Sequence, residues 1–135
     1  MEYSLQWQIP KCVLLLYVSG DISIEELADF NRDMNRYLDE GAECVHVVSV
    51  GNNIRRVPTN LLRIKQTMTY LQNPHMGWTI LVQEKPNPLT GFLVSVATQA
   101  TGMKIYHVKY VEDSVETLRR LDPNLEANIH VSAGK

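Results

Sequence analysis

The stretch CVHVVSV, residues 44–50, followed by GNNIRRVPT, residues 51–59, decides the fold of this chain. The first part is apolar and β-branched, carries no charge and has only His46 and Ser49 as polar members. That pattern predicts a central strand covered on both faces, because a strand with one solvated face alternates instead. The second part is rich in turn-forming residues and precedes a new helical spacing at Leu61. In α/β proteins the junction from strand to helix presents backbone N–H groups and the positive end of a helix, so function is sought at residues 51–60.

Moving toward the N-terminus, Tyr3, Leu5, Trp7 and Ile9 alternate with Ser4, Gln6 and Gln8, the period of a half-exposed edge strand. Pro10-Lys11 breaks the run, and Cys12 to Val18 resumes as a continuous apolar strand, so the chain opens with an antiparallel hairpin. Ser23 with Glu26 is a capping-box pattern. Ile24, Leu27, Phe30, Met34, Tyr37 and Leu38 then form one apolar stripe, and Gly41 is expected to stop the helix in a left-handed conformation.

Beyond the central strand, Leu61, Ile64, Met68 and Leu71 predict a second helix over residues 60–71, with Thr59 as the expected cap. WTILV, residues 78–82, is a third buried strand, and Asn87-Pro88 marks the start of a third helix. That helix is unusual: eighteen consecutive residues between Lys85 and Lys104 carry no charge. Leu89, Phe92, Leu93 and Val96 are therefore candidates for an apolar pocket wall or a homodimer surface, with an unusually covered core helix as the third account. KIYHVKYV, residues 104–111, is a last strand. Asp113 and Glu116 suggest a second capping box, and Val115, Leu118 and Leu121 a short final helix stopped by Asp122-Pro123. Residues 124–135 are expected to be a mobile tail, with Ile129 and Val131 able to add a short edge pairing.

The element order is thus ββαβαβαβα: one domain over residues 1–123 built on a mostly parallel five-stranded sheet with one antiparallel edge strand. A chain of 135 residues buries roughly two thirds of its unfolded surface, enough for one core. The formal net charge of −2 selects neither nucleic acid nor an anionic membrane, and the longest apolar run, VLLLYV, is too short to span a bilayer. A cytoplasmic protein is the expectation. Cys12 and Cys44 lie on strands 32 positions apart with no neighbouring ligand spacing, so reduced buried thiols are expected rather than a disulfide or a metal site.

This order, with YVSGDISIEEL after the second strand and a binding turn after the third, resembles STAS domains, the anti-sigma-factor-antagonist or SpoIIAA-like fold, and the divergent group related in shape to CRAL-TRIO lipid-binding domains. The likeness covers residues 3–121. Phosphorylatable STAS domains carry Asp-Ser-Ser-Gly before the second helix; here Val57-Pro58-Thr59-Asn60 stands in that place, so the phospho-acceptor position falls on Asn60 or, one residue earlier, Thr59. The resemblance implies a non-enzymatic regulatory module that binds a protein partner, with carriage of a lipid or other small apolar ligand as the alternative.

The residues themselves agree with a binding role. Arg55, Arg56, Arg63 and Lys65 place four positive charges and no negative one in eleven residues, which suits an anion or an acidic partner at Arg55, Arg56, Thr59 and Asn60. Ser95 lacks the glycine-flanked elbow of hydrolases, and His46, His75, His107 and His130 have no spacing that assembles a local metal site. Phosphate-loop and dinucleotide glycine patterns are absent, so no catalytic residue, cofactor or metal is expected.

Overall fold

In a computed structural model that describes residues 1–133, apart from the side chains of Ala100, Ser132 and Ala133, the chain forms a five-stranded sheet in the order β1-β2-β3-β4-β5. The strands are β1 (Glu2–Ile9), β2 (Val13–Asp21), β3 (Val45–Arg56), β4 (Met76–Val82) and β5 (Ile105–Val108). β1 pairs antiparallel with β2, and the other pairings are parallel. The expected hairpin forms because Pro10 and Lys11 fill the centre of a turn closed by Cys12 N–H donating to Ile9 O at 3.0 Å, with Lys11 in the left-handed region at φ 64°.

Sequential strand order fixes where the helices go. Each parallel step moves the same way across the sheet, so right-handed crossovers put α1 (Ile24–Glu40), α2 (Leu61–Thr67) and α3 (Pro88–Thr101) on one face. The last two helices, α4 (Ser114–Leu121) and α5 (Leu125–Ala133), follow β5 and cover the other face. Alternation along the buried strands serves both layers. Leu14, Leu16, Val45 and Val47 meet α1, while Val13, Leu15, Val48 and Ile80 meet Leu118 and Leu125.

The capping box of α1 is present, with Glu26 N–H donating to Ser23 Oγ at 3.2 Å and Ser23 N–H to Glu26 Oε1 at 3.3 Å. Leu27, Phe30, Met34 and Leu38 are its buried stripe. Aromatic edges knit it to the sheet and to the segment after α2: Tyr3 against Phe30, Phe30 against Tyr70 and Trp7 against Tyr37.

Several expectations are corrected. The segment after residue 50 is not simply a turn: β3 continues to Arg56, bulged between the Val18–Gly51 and Gly20–Ile54 pairs, with Asn53 at a φ of 57° and Gly20 at 87°. Gly41 ends α1 in extended rather than left-handed backbone; glycine is needed there because a Cβ would lie 2.4 Å from Val45 Cγ2. The second helix stops at Thr67 and continues as a 3-10 turn over Thr69–Gln72. The last strand spans only Ile105–Val108. The Asp113–Glu116 box does not form: Asp113 already has helical angles at the end of a 3-10 turn, and Ser114 Oγ donates to Val111 O at 2.6 Å. Beyond Pro123 the chain is the helix α5 rather than an irregular tail or an edge strand, held by fully buried Leu125 and by Ile129 against the core. Residues 134–135 of the expected tail lie outside the described residues.

Candidate functional site

The parallel strands β2 to β5 share one carboxyl end, where β3 leads into α2 and β4 into α3, and the predicted binding residues lie there. Arg55 and Arg56 are exposed at the end of β3, the final strand residues before Val57-Pro58. Arg55 Nε is 3.3 Å from Asp21 Oδ1 on the neighbouring strand, so its charge is matched within the chain. Arg56 also belongs to the ladder, its carbonyl accepting Ile22 N–H at 2.9 Å. Its side chain, like those of Arg63 and Lys65, enters no ion pair among the described residues.

Thr59 is exposed and is not the cap. Asn60 is: its Oδ1 accepts Arg63 N–H at 3.1 Å. The cap occupies one of the N–H groups at the start of the seven-residue α2, and the arginines and lysine of this segment supply its remaining donors. What the reading of the sequence missed is apolar. Leu61 is 49% and Leu62 63% exposed, although Ile64 on the same short helix is buried. Period counting assigned Leu61 to the core; a helix of two turns buries only the narrow side that touches α1 and α3, and Leu61 falls outside it. The resulting surface combines two leucines with Arg56, Arg63 and Lys65.

The third helix begins as predicted, with Asn87 Oδ1 accepting Leu89 N–H at 2.9 Å and Pro88 in the first turn. Its four candidate side chains do not act together. Leu89 and Leu93 pack on the core, Leu93 also faces an internal cavity, Val96 lines a groove between α2 and α3, and Phe92 is half-buried and borders neither space. The outward positions Gly91, Ser95, Thr98 and Gln99 are small or polar, which explains how this helix meets solvent without charge.

On the opposite face, three groups that sequence spacing kept apart come together: Cys44, His46 and Asp122 have ligand atoms within 4.8 Å of one another. Trp78 N–H donates to His46 Nδ1 at 2.9 Å, which places the ring proton on Nε2, and that nitrogen donates to Asp122 Oδ2 at 2.8 Å. Gly77 allows this approach, since a Cβ there would stand 2.6 Å from His46 Nδ1 and 2.7 Å from Cys44 Sγ. Burial first, and the Asp122 carboxylate second, hold the Cys44 thiol above its ordinary pKa. In this arrangement Asp122 and Trp78 engage both ring nitrogens of His46, and the Cys44 thiol lies beside them, so the group forms a hydrogen-bonded clasp between the sheet and the end of α4. His46 has no nitrogen left to serve Cys44 as a base.

With this geometry in place, similarity can be weighed. The chain matches the solved structure of the anti-sigma factor antagonist SpoIIAA in its unphosphorylated form with a TM-score of 0.58, over 88% of this chain and 97% of that one, at 15% sequence identity. The fold is SpoIIAA-like. No family model and no curated protein sequence matches the chain. The likeness in shape carries the expected antiparallel edge strand, the parallel order and the helical layers, and leaves the site to be argued from its residues. Among the described residues, no helix is long and apolar enough to cross a membrane.

Proposed function

We propose that this chain is a non-enzymatic regulatory module of STAS type that acts by contact with a protein partner. The observation that carries the reading is the exposed Leu61-Leu62 pair at the head of α2, in a segment whose exposed Arg56, Arg63 and Lys65 enter no ion pair among the described residues. Apolar side chains accompanied by one sign of charge suit an acidic protein surface with an apolar centre: burial supplies affinity, and the charges supply orientation and encounter rate. The surface sits where β3 leads into α2, at the outer end of the parallel strands, and the SpoIIAA-like fold supports the assignment because that protein is an antagonist of another protein factor. Arg55, Thr59 and Asn60 frame this surface, Asn60 by fixing the start of α2 and Arg55 by tying the end of β3 to Asp21.

The test is affinity capture from cells of the source with wild-type chain and the double variant Arg56→Glu, Arg63→Glu. The proposal expects a defined partner with the wild type and its loss with the variant. Thermal stability should stay within about 0.5 kcal/mol, as for exposed substitutions. Undiminished recovery of the same partner by the variant would sink this surface.

A further inference from the structure

Under α3, between that helix, α1 and the sheet, the packing leaves a cavity of about 100 Å³. Protein interiors are close-packed, and voids larger than a water molecule are few. The wall is overwhelmingly apolar, and its composition is uneven: four of the five methionines of the chain, Met1, Met68, Met76 and Met103, border it. Unbranched thioether side chains re-pack readily, so this wall can widen around an occupant in a way that β-branched walls cannot.

A polar atom in this wall has no partner. Thr90, on the first turn of α3, is only 6% exposed, and its Oγ1 makes no hydrogen bond. The hydroxyl stands over Gly51 of β3, where a Cβ would come to 3.4 Å from it, so the absent side chain at residue 51 leaves the space beside it open. Of the other buried hydroxyl-bearing residues bordering the cavity, Tyr70 and Thr79, the second donates from Oγ1 toward Met103 Sδ at 3.5 Å. Buried hydroxyls in native proteins are almost always paired, and a stable internal water needs two or more polar partners. Thr90 thus marks a place where the polar atom of an occupant would find a partner.

We propose that this cavity binds a small, mainly apolar molecule bearing one hydrogen-bonding group, of the phenol or short-chain alcohol class, with Thr90 Oγ1 as its polar contact. The size excludes a two-chain lipid: an engineered void of about 150 Å³ takes up benzene, so this smaller one holds a short alkyl chain, or a single ring once its methionine wall widens. The role is additional to the partner surface, and neither depends on the other.

Phenol and benzene are the probes, a pair differing by the hydroxyl alone. Both are titrated into the full chain while the methionine ε-methyl NMR signals are followed. Phenol should shift Met68, Met76 and Met103 saturably, with Met34, which does not border the cavity, changing least. Thr90→Val keeps the side-chain shape and should weaken phenol at least fivefold while leaving benzene as tight or tighter. Ala97→Leu, which projects into the cavity, should abolish both. Absence of any saturable methyl shift at the solubility limit of phenol would overturn the site. Equal affinities of phenol for wild type and Thr90→Val would overturn the assignment of the hydrogen-bonding group.

Discussion

The two faces of the sheet are built on opposite terms. The face under α4 and α5 is closed: Val13, Leu15, Val48 and Ile80 pack directly against Leu118 and Leu125, and the His46–Asp122 hydrogen bond pins the end of α4 to the sheet. The face under α1, α2 and α3 carries the larger cluster, yet it contains the cavity, the methionines and an unpaired hydroxyl. One sheet thus offers a rigid back and an adaptable front. The exposed Leu61, Leu62 and Arg63 lie on the short helix α2, which borders a groove against α3. Regions that bind are commonly those with incomplete packing, and the cavity and the unpaired Thr90 hydroxyl belong to this layer.

The contrast can be broken most strongly from the back. Leu118→Ala should cost about 3 kcal/mol in chemical denaturation, because a fully buried leucine in a tight layer leaves a void that its neighbours cannot fill. Met76→Ala, beside the existing cavity, should cost less than half as much, since its flexible neighbours can close around the change. Equal losses would mean that the two faces do not differ in packing. Thr90→Val should act in the other direction, raising stability by about 1 kcal/mol, because it removes a buried hydroxyl that has no partner. A loss of stability would reveal a bond to Thr90 that the geometry does not contain.

A smaller effect sharpens the outer rim of the front. The hydrogen bond from Tyr3 to Asp33 at 2.5 Å, with burial and the Asp33 charge adding to it, pushes the Tyr3 phenol up to about 12. A raised folded pKa means that this contribution to stability is complete below pH 10 and is lost as pH rises from there through about 12. Burial also holds the Tyr70 phenol well above its ordinary value, so ultraviolet titration should find two late tyrosines, of which only Tyr3 moves down toward 10 in Asp33→Asn; an unchanged profile would exclude the hydrogen bond as its cause.

Local signals carried most of this fold. The Ser23–Glu26 box, the Asn87-Pro88 start, the Pro10-Lys11 hairpin and the alternation in β1 each specify structure within a few residues, and the structure contains all of them. Failures arose where a local pattern met a tertiary constraint. Gly51-Asn52-Asn53 has the composition of a turn, but pairing with β2 draws it into a bulged strand. Residues 125–133 are weakly periodic, and their helix depends on burying Leu125 beneath the sheet. The site was half legible. Arg56 and Asn60 follow from position next to the central strand, whereas exposure of Leu62 depends on how little of a two-turn helix its neighbours cover. The clasp joins residues 76 apart, and a cavity is a sum of volumes over many elements; neither leaves a spacing to read.

The most direct test of the account is photo-crosslinking in cells of the source, with a benzophenone amino acid placed at Leu62 or, separately, at Glu25 on the exposed side of α1. The account predicts one discrete protein adduct from position 62, lost when Arg56→Glu and Arg63→Glu are added, and none from position 25. Absence of an adduct at 62, or the same adducts from both positions, would contradict the assignment of this surface as the place where the protein acts.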